Sequence, residues 1–210
     1  AHSFACFLSS RPNEQMYNQC SEGSKVIYVG SLAGLLPGGP GHSHQAVRDI
    51  SSLAAIPGLA IVEPAVEAEV GHLLNHLIRK TVGSAYLRLV SVKWPMPFDY
   101  PVGQSVREGQ GWIVRDGDDG VAFGYGPWML ANAYGAAERV QRSSGFSLRI
   151  VNLPWLNRVD RKWLRGIIGS RRAIVTLDNH YVHGGQGEML AAAVAELGLE
   201  PSPRFTRLGV

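Results

Sequence analysis

Between Glu67 and Lys80 the apolar residues Val70, Leu73, Leu74, Leu77 and Ile78 recur at i, i+3, i+4, i+7 and i+8, the spacing of one helix face. Shorter apolar runs flank this helix: Leu59 to Val62, closed by Pro64, and Ala85 to Val90 both predict strands. Upstream, Lys25 to Val29 predicts another strand, and Ala46 to Ala55 reads as helical. Downstream, Gly111 to Arg115 and Val121 to Phe123 flank Asp116-Gly117-Asp118-Asp119-Gly120, a strong turn or hairpin signal. A second alternation follows: helix Met129 to Arg142, strand Leu148 to Asn152, helix Arg161 to Ile168, strand Ala173 to Leu177 and helix Gly187 to Leu197. Strands that alternate with helices in this way predict an α/β protein with largely parallel sheets.

The alternation is interrupted once. Pro95, Pro97 and Pro101 crowd a stretch where neither a helix nor a central strand tolerates them. Residues 93–104 therefore read as a linker between a first domain, residues 1–92, and a second, residues 105–210. At 210 residues the chain can form two consecutive α/β domains, each burying its own core. No internal repeat and no low-complexity tail complicates this division.

Composition narrows the function classes. The chain is 45% hydrophobic and 18% charged, with a formal charge of +3, an ordinary globular balance. No block of Lys and Arg and no interleaved row of aromatics provides a nucleic-acid footprint, so the mild basicity reads as solubility with some bias towards small anionic molecules. Cys6 and Cys20 permit one disulfide and no framework. No apolar stretch reaches the roughly 18 to 20 residues of a membrane span, and nothing resembles a signal peptide. A cytoplasmic enzyme or enzyme subunit is the expectation. The start, Ala1-His2-Ser3 without an initiator Met, suggests processing or a portion of a longer product.

The sharpest local feature is the stretch Gly30 to Gln45, which contains Gly34, Gly38, Gly39 and Gly41 and ends Gly41-His42-Ser43-His44-Gln45. It follows a predicted strand, at the end of an α/β sheet where ligands gather. Glycines let a ligand approach the backbone, and two imidazoles can bond hydroxyls, a carbonyl or a phosphate near neutral pH. The loop lacks the Gly-Lys-Ser/Thr of a P-loop and the spacing of a dinucleotide fingerprint. Ser31 sits one place early for a nucleophile elbow. Two readings stay open beside ligand binding: His42 and His44 as metal ligands with His180 or His183, and a loop whose histidines only satisfy local backbone.

Taken in order, the motifs are similar to those of the transketolase family, which includes deoxyxylulose-phosphate synthases and beta subunits of 2-oxo acid dehydrogenases. Ser3-Phe4-Ala5-Cys6-Phe7 is similar to that family's Thr-Phe-x-x-Phe and is followed by Glu14-Gln15. Gly41-His42-Ser43-His44-Gln45 is similar to Gly-Pro-Thr-His-Gln. Ala55-Ile56-Pro57-Gly58 with Glu63-Pro64-Ala65, then Tyr86-Leu87-Arg88, and finally Asp178 to Gly187 resemble further motifs. The resemblance covers essentially the whole chain. It implies a thiamine-diphosphate pyrimidine-binding-like domain followed by a transketolase C-terminal-like domain.

Carried over residue by residue, the resemblance implies that Phe4 and Phe7 receive the aminopyrimidine ring, with Ser10 where some members place a tyrosine. It implies that His44 contacts the donor sugar as the catalytic residue of this portion. Ser31 lies near a position held elsewhere by histidine, and Arg88 aligns with an arginine that holds substrate phosphate. Asp178, His180 and His183 fall in a loop that usually serves dimer packing. Two departures stand out. Pro40 replaces an aspartate that recognises a substrate hydroxyl, and His42 replaces a proline and becomes a candidate for a different contact.

The family's catalytic glutamate precedes the Phe-x-x-Phe cluster, so the resemblance places it outside this chain, along with the diphosphate-binding domain. The expectation is thus a portion or subunit of a transketolase-like transferase that moves a two-carbon ketol or acyl unit. It would share thiamine diphosphate with an N-terminal subunit or domain, which would hold Mg2+ or Ca2+. A homodimer or heterotetramer acting on a sugar phosphate or ketol donor is implied. A non-catalytic dimerisation or regulatory module, and a 2-oxo acid dehydrogenase beta subunit, are the alternatives.

Overall fold

The computed structural model describes residues 1–210. The first half is a four-stranded parallel sheet in the order β1-β2-β4-β3, built from His2–Phe4, Ile27–Ser31, Ala60–Val62 and Ala85–Arg88 in chain order. Helices α1 (Ala5–Ser10), α2 (Asn13–Ser21), α3 (Asp49–Ala54) and α4 (Glu67–Arg79) connect these strands. The second half is a five-stranded sheet of order β5-β7-β6-β8-β9. Its strands are Trp112–Arg115, Gly120–Gly124, Leu148–Asn152, Ala173–Leu177 and Arg204–Leu208. Helices α5 (Gly126–Ser144), α6 (Arg161–Ile168) and α7 (Gln186–Leu197) complete it. Two mostly parallel α/β sheets are what the alternation of patterns predicts.

The local causes are identifiable. Helix α4 buries Leu73 and Leu77 from its apolar stripe, while Ile78 at the stripe's margin stays exposed. Its start is fixed from within: Glu69, at the third helical position, accepts the Ala65 N–H at 2.6 Å. Helix α6 is capped by Asp160, whose carboxylate accepts the Trp163 N–H at 2.9 Å.

Three features differ from the sequence expectation. The Asp-Gly-rich segment is a turn but joins no hairpin. β7 lies between β5 and β6, antiparallel to β5 and parallel to β6. The turn chemistry is local, whereas strand pairing is decided by which apolar strand fills the sheet. Secondly, β1 and β9 carry no apolar run: their burial alternates, so their pattern is too short and too polar to stand out. Thirdly, the halves share the largest core cluster and do not each close on a core of their own. Val62, Leu77, Ala85 and Leu87 pack in one cluster with Val121, Phe123, Val151, Leu153, Trp155 and Leu164.

The seam is also hydrogen-bonded. β3 is the edge of its sheet, yet the Leu156 N–H donates to Ile61 and the Glu63 N–H donates to Pro154, at 2.8 and 2.9 Å. The Asn157 side chain adds bonds to Ile61 and Leu59. A sheet edge that would invite foreign strands is thereby covered by the second half of the same chain. Between Arg88 and Trp112 no helix or strand forms. Trp94, Met96, Phe98 and Tyr100 from this stretch line a cavity of about 800 Å³ with Leu89, Val66 and Pro127. Cys6 and Cys20 remain free thiols against the core of the first half.

Candidate active site

The carboxyl ends of β1 and β2 bring together residues far apart in sequence. β1 ends at Phe4, and α1 begins at the next residue, so Phe7 lies one helical turn on. The loop after β2 returns His44 to the same place. Its ring lies 5.1 Å from that of Phe7, edge-on, and 6.0 Å from that of Phe4, while the two phenylalanines are 6.0 Å apart. Phe4 is 39% exposed and Phe7 and His44 are half-buried, so the three rings form an accessible aromatic corner. His44 Nδ1 is engaged with the Ser43 hydroxyl at 3.0 Å. Its Nε2 makes no hydrogen bond within the chain and is the nitrogen left free for a ligand.

Two residues that sequence reasoning passed over join this corner. The Arg11 guanidinium stacks on Phe7, 4.1 Å from the ring centroid. Helical i, i+4 spacing from Phe7 is the signal that would have found it. His2, the first residue of β1, places Nε2 3.2 Å from the hydroxyl of Ser31, the last residue of β2. Ser31 therefore stands at the rim of the site, beside a histidine contributed by the neighbouring strand. The Ser10 hydroxyl donates to the Cys6 carbonyl at 2.6 Å, turned back along its own helix. His42 is exposed on the loop and makes no hydrogen bond or ring contact within the chain.

Arg88 departs from the expectation of a substrate-phosphate contact. It is fully buried, with its guanidinium committed inside the chain. Nε and Nη2 fork onto Asp49 at 2.8 and 3.2 Å, and Nη1 donates to Glu63. Nη2 also donates to the carbonyls of Ala46 and Asn179, each at 2.8 Å. The physical reason is position: β4 is an inner strand, and the second half closes over its end. So placed, the side chain presents no donor to a ligand.

One cation faces two carboxylates here, and the electrostatics follow. Asp49 takes the bidentate fork and a 2.9 Å bond from the Tyr86 hydroxyl. Burial pushes the Glu63 carboxyl up to about 7, against the opposing pull of Arg88. Glu63 Oε1 has no partner. Nearby, Asp178 accepts the Tyr125 hydroxyl and the Gln186 and Gly187 N–H groups, and burial still raises its carboxyl.

The C-terminal histidines do not converge on the loop histidines as a metal site. His180 is buried, its Nε2 accepting the Ser51 N–H at 3.3 Å and its Nδ1 donating to the Tyr181 carbonyl at 2.7 Å. Burial holds its ring below the usual histidine range. No group of three His, Cys, Asp or Glu side chains stands together for a metal.

A continuous two-part α/β chain with an aromatic corner at the strand ends is matched by two family models in the same order. Residues 1–91 match the transketolase pyrimidine binding domain, and residues 109–210 match the transketolase C-terminal domain. The chain belongs to the transketolase family. Among curated relatives, the 1-deoxy-D-xylulose-5-phosphate synthase of Bacillus velezensis is 27% identical over 214 residues, 99% of this chain and 32% of the relative. The synthase of Geobacillus thermodenitrificans is 28% identical over 189 residues, 88% of this chain and 29% of its own. The chain thus spans about a third of the length of these relatives.

Solved structures agree on the fold. A split-gene transketolase in the form of an inactive beta4 tetramer superposes on all of this chain and 66% of its own, with a TM-score of 0.85 and 26% identity. The Pichia stipitis transketolase complex with sedoheptulose-7-phosphate superposes with a TM-score of 0.78, covering all of this chain and 29% of its own. Its 16% identity carries the fold alone.

Proposed function

We propose that this chain is the pyrimidine-side portion of a thiamine-diphosphate-dependent, transketolase-like transferase, completed by a diphosphate-binding domain or subunit. The observation that carries the reading is the convergence of Phe4, Phe7 and His44 at the ends of β1 and β2. Two accessible phenyl rings fit a flat, weakly polar heterocycle. In this reading Mg2+ or Ca2+ is held by the partner portion, with the diphosphate.

When bound, thiamine diphosphate supplies the electron sink that lets a bond beside a carbonyl break. This chain's residues orient and protect. Phe4 and Phe7 hold the ring plane, and Arg11 stiffens Phe7 from the other side. His44 offers Nε2 to a hydroxyl or carbonyl of the donor, with Nδ1 fixed by Ser43. Ser31 and exposed His42 line the approach, and Pro40 removes the hydroxyl-recognising carboxylate implied for related loops. The donor is a ketol, such as a sugar phosphate, or a compound yielding an acyl unit. Arg88 is not among the phosphate contacts.

The existence of a split-gene transketolase as an inactive beta4 tetramer supports the reading that a chain of this extent needs its partner portion to act. Titrating thiamine diphosphate and Mg2+ into this chain alone and into its mixture with the diphosphate-binding portion tests the proposal. Binding only in the mixture, with donor cleavage, is the expected result. Absence of calorimetric binding in the mixture would overturn it.

A further inference from the structure

The second half of the chain grips the histidine loop of the first at its neck. Gly34 and Ala46 exchange backbone hydrogen bonds of 3.0 and 3.1 Å, closing residues 35–45 into a loop. Asn179, 2% exposed, accepts the Leu35 N–H on Oδ1 at 2.9 Å. It is packed so tightly that a Cβ on Gly34 would lie 1.9 Å from its Nδ2, at a residue whose φ is +85°. Arg88 joins the same neck, donating to the Ala46 and Asn179 carbonyls at once. The Tyr181 N–H donates to Val47 at 2.9 Å, and His180 accepts from Ser51. Segment 179–181 therefore touches the entry of the loop, its exit and the helix beyond.

We infer that this segment is a brace that sets His44 against Phe4 and Phe7, and that Asn179 is a positioning residue for the loop. The catalytic part of this inference rests on the function proposed above. A loop with a fixed neck loses much of the freedom that would blur its tip. A hydrogen-bonding group displaced by about an ångström loses its bond to a ligand while the fold around it stands. Within the loop, the Gly41 and His44 N–H groups donate to Gly38 and Gly41, each at 3.0 Å, and Gln45 bonds Leu35 at the neck; these bonds shape the loop but tie it to nothing outside itself, and the second half supplies that tie. The second half of the chain is thus part of the substrate machinery without touching substrate.

Amide exchange on the intact chain is the first test. The Leu35 amide is expected to be protected as strongly as those of Ala46 and Tyr181, the three opening together. Exchange of Leu35 at the rate of an exposed loop amide overturns the brace, whatever the variants do. In Asn179→Ala, exchange at residues 34–46 should accelerate about tenfold, while β6 and β8 amides keep their rates. Asn179→Asp retains the acceptor and should restore protection. In the enzyme assembled with its partner portion, Asn179→Ala should raise the donor KM about fivefold with kcat little changed, and Asn179→Asp should recover it. A lower kcat at unchanged KM would mark Asn179 as a stability residue and overturn the positioning role. Should the assembled enzyme bind no thiamine diphosphate, the proposed function fails and the exchange results still decide the brace.

Discussion

Glu63 Oε1 occupies the place where a side chain on residue 126 would begin: a Cβ on Gly126 would stand 1.9 Å from it. Glu63 follows β3 in the first half, and Gly126 opens α5 in the second with φ of +69°. The glycine meets two demands, a left-handed backbone and room for a buried carboxyl. Gly126→Ala should therefore destabilise the whole chain by about 2 to 4 kcal/mol. Urea unfolding checks this, and a midpoint equal to the parent's would contradict the packing described.

The same carboxyl gives a pH signature. Its folded value of about 7 lies above the ordinary 4.5, so the native state holds a proton that the unfolded chain releases between those pH values. Stability from this group is present at low pH and is lost as pH rises through that window, on the order of 3 kcal/mol in total. Glu69 and Asp178 are raised by burial as well and act with the same sign. The difference between parent and Glu63→Gln isolates Glu63: the variant should gain on the parent as pH rises from about 4.5 to 7. A difference constant across that range would refute the assignment.

Arg88 separates two accounts of one residue. As the buried partner of Asp49 and Glu63 it should be needed for folding, and Arg88→Met should cost about 3 to 5 kcal/mol by leaving Asp49 unpaired. Arg88→Lys cannot reproduce the fork and should lose part of that stability. A lysine variant as stable as the parent but with weakened phosphate binding would restore the contact expected from sequence.

Arg88 also shows where sequence reading runs out. Periodicity located β7, α6 and β8 with their observed bounds, because each is an apolar run or stripe bounded by turn residues. The order of motifs brought Phe4, Phe7 and His44 to one site, since a motif's chemistry travels with its residues. Burial does not travel that way. A guanidinium at the end of an inner strand looks alike in sequence whether solvent or a second domain lies above it. The brace from Asn179 to Leu35 joins residues 144 positions apart, and no local pattern in either segment announces it. β9 stayed hidden because every second residue faces outward and the strand sits at the sheet edge.

The aromatic corner yields the most direct test of ligand chemistry. Phe7 is half-buried, with Arg11 over its ring and the His44 ring at a steep angle to it, so part of the ring is open to a ligand. Phe7→Leu keeps much of the apolar volume and removes the π face. If the ring receives a heterocycle, affinity for thiamine diphosphate in the assembled enzyme should fall roughly threefold to tenfold, the size of a stacking contribution of about 0.5 to 1.5 kcal/mol. The folding midpoint should move little, because an accessible ring loses little on truncation. Calorimetry and urea unfolding on the same variant separate the two effects. Reduced stability with unchanged affinity would make Phe7 a packing residue and move the cofactor contact to Phe4 alone.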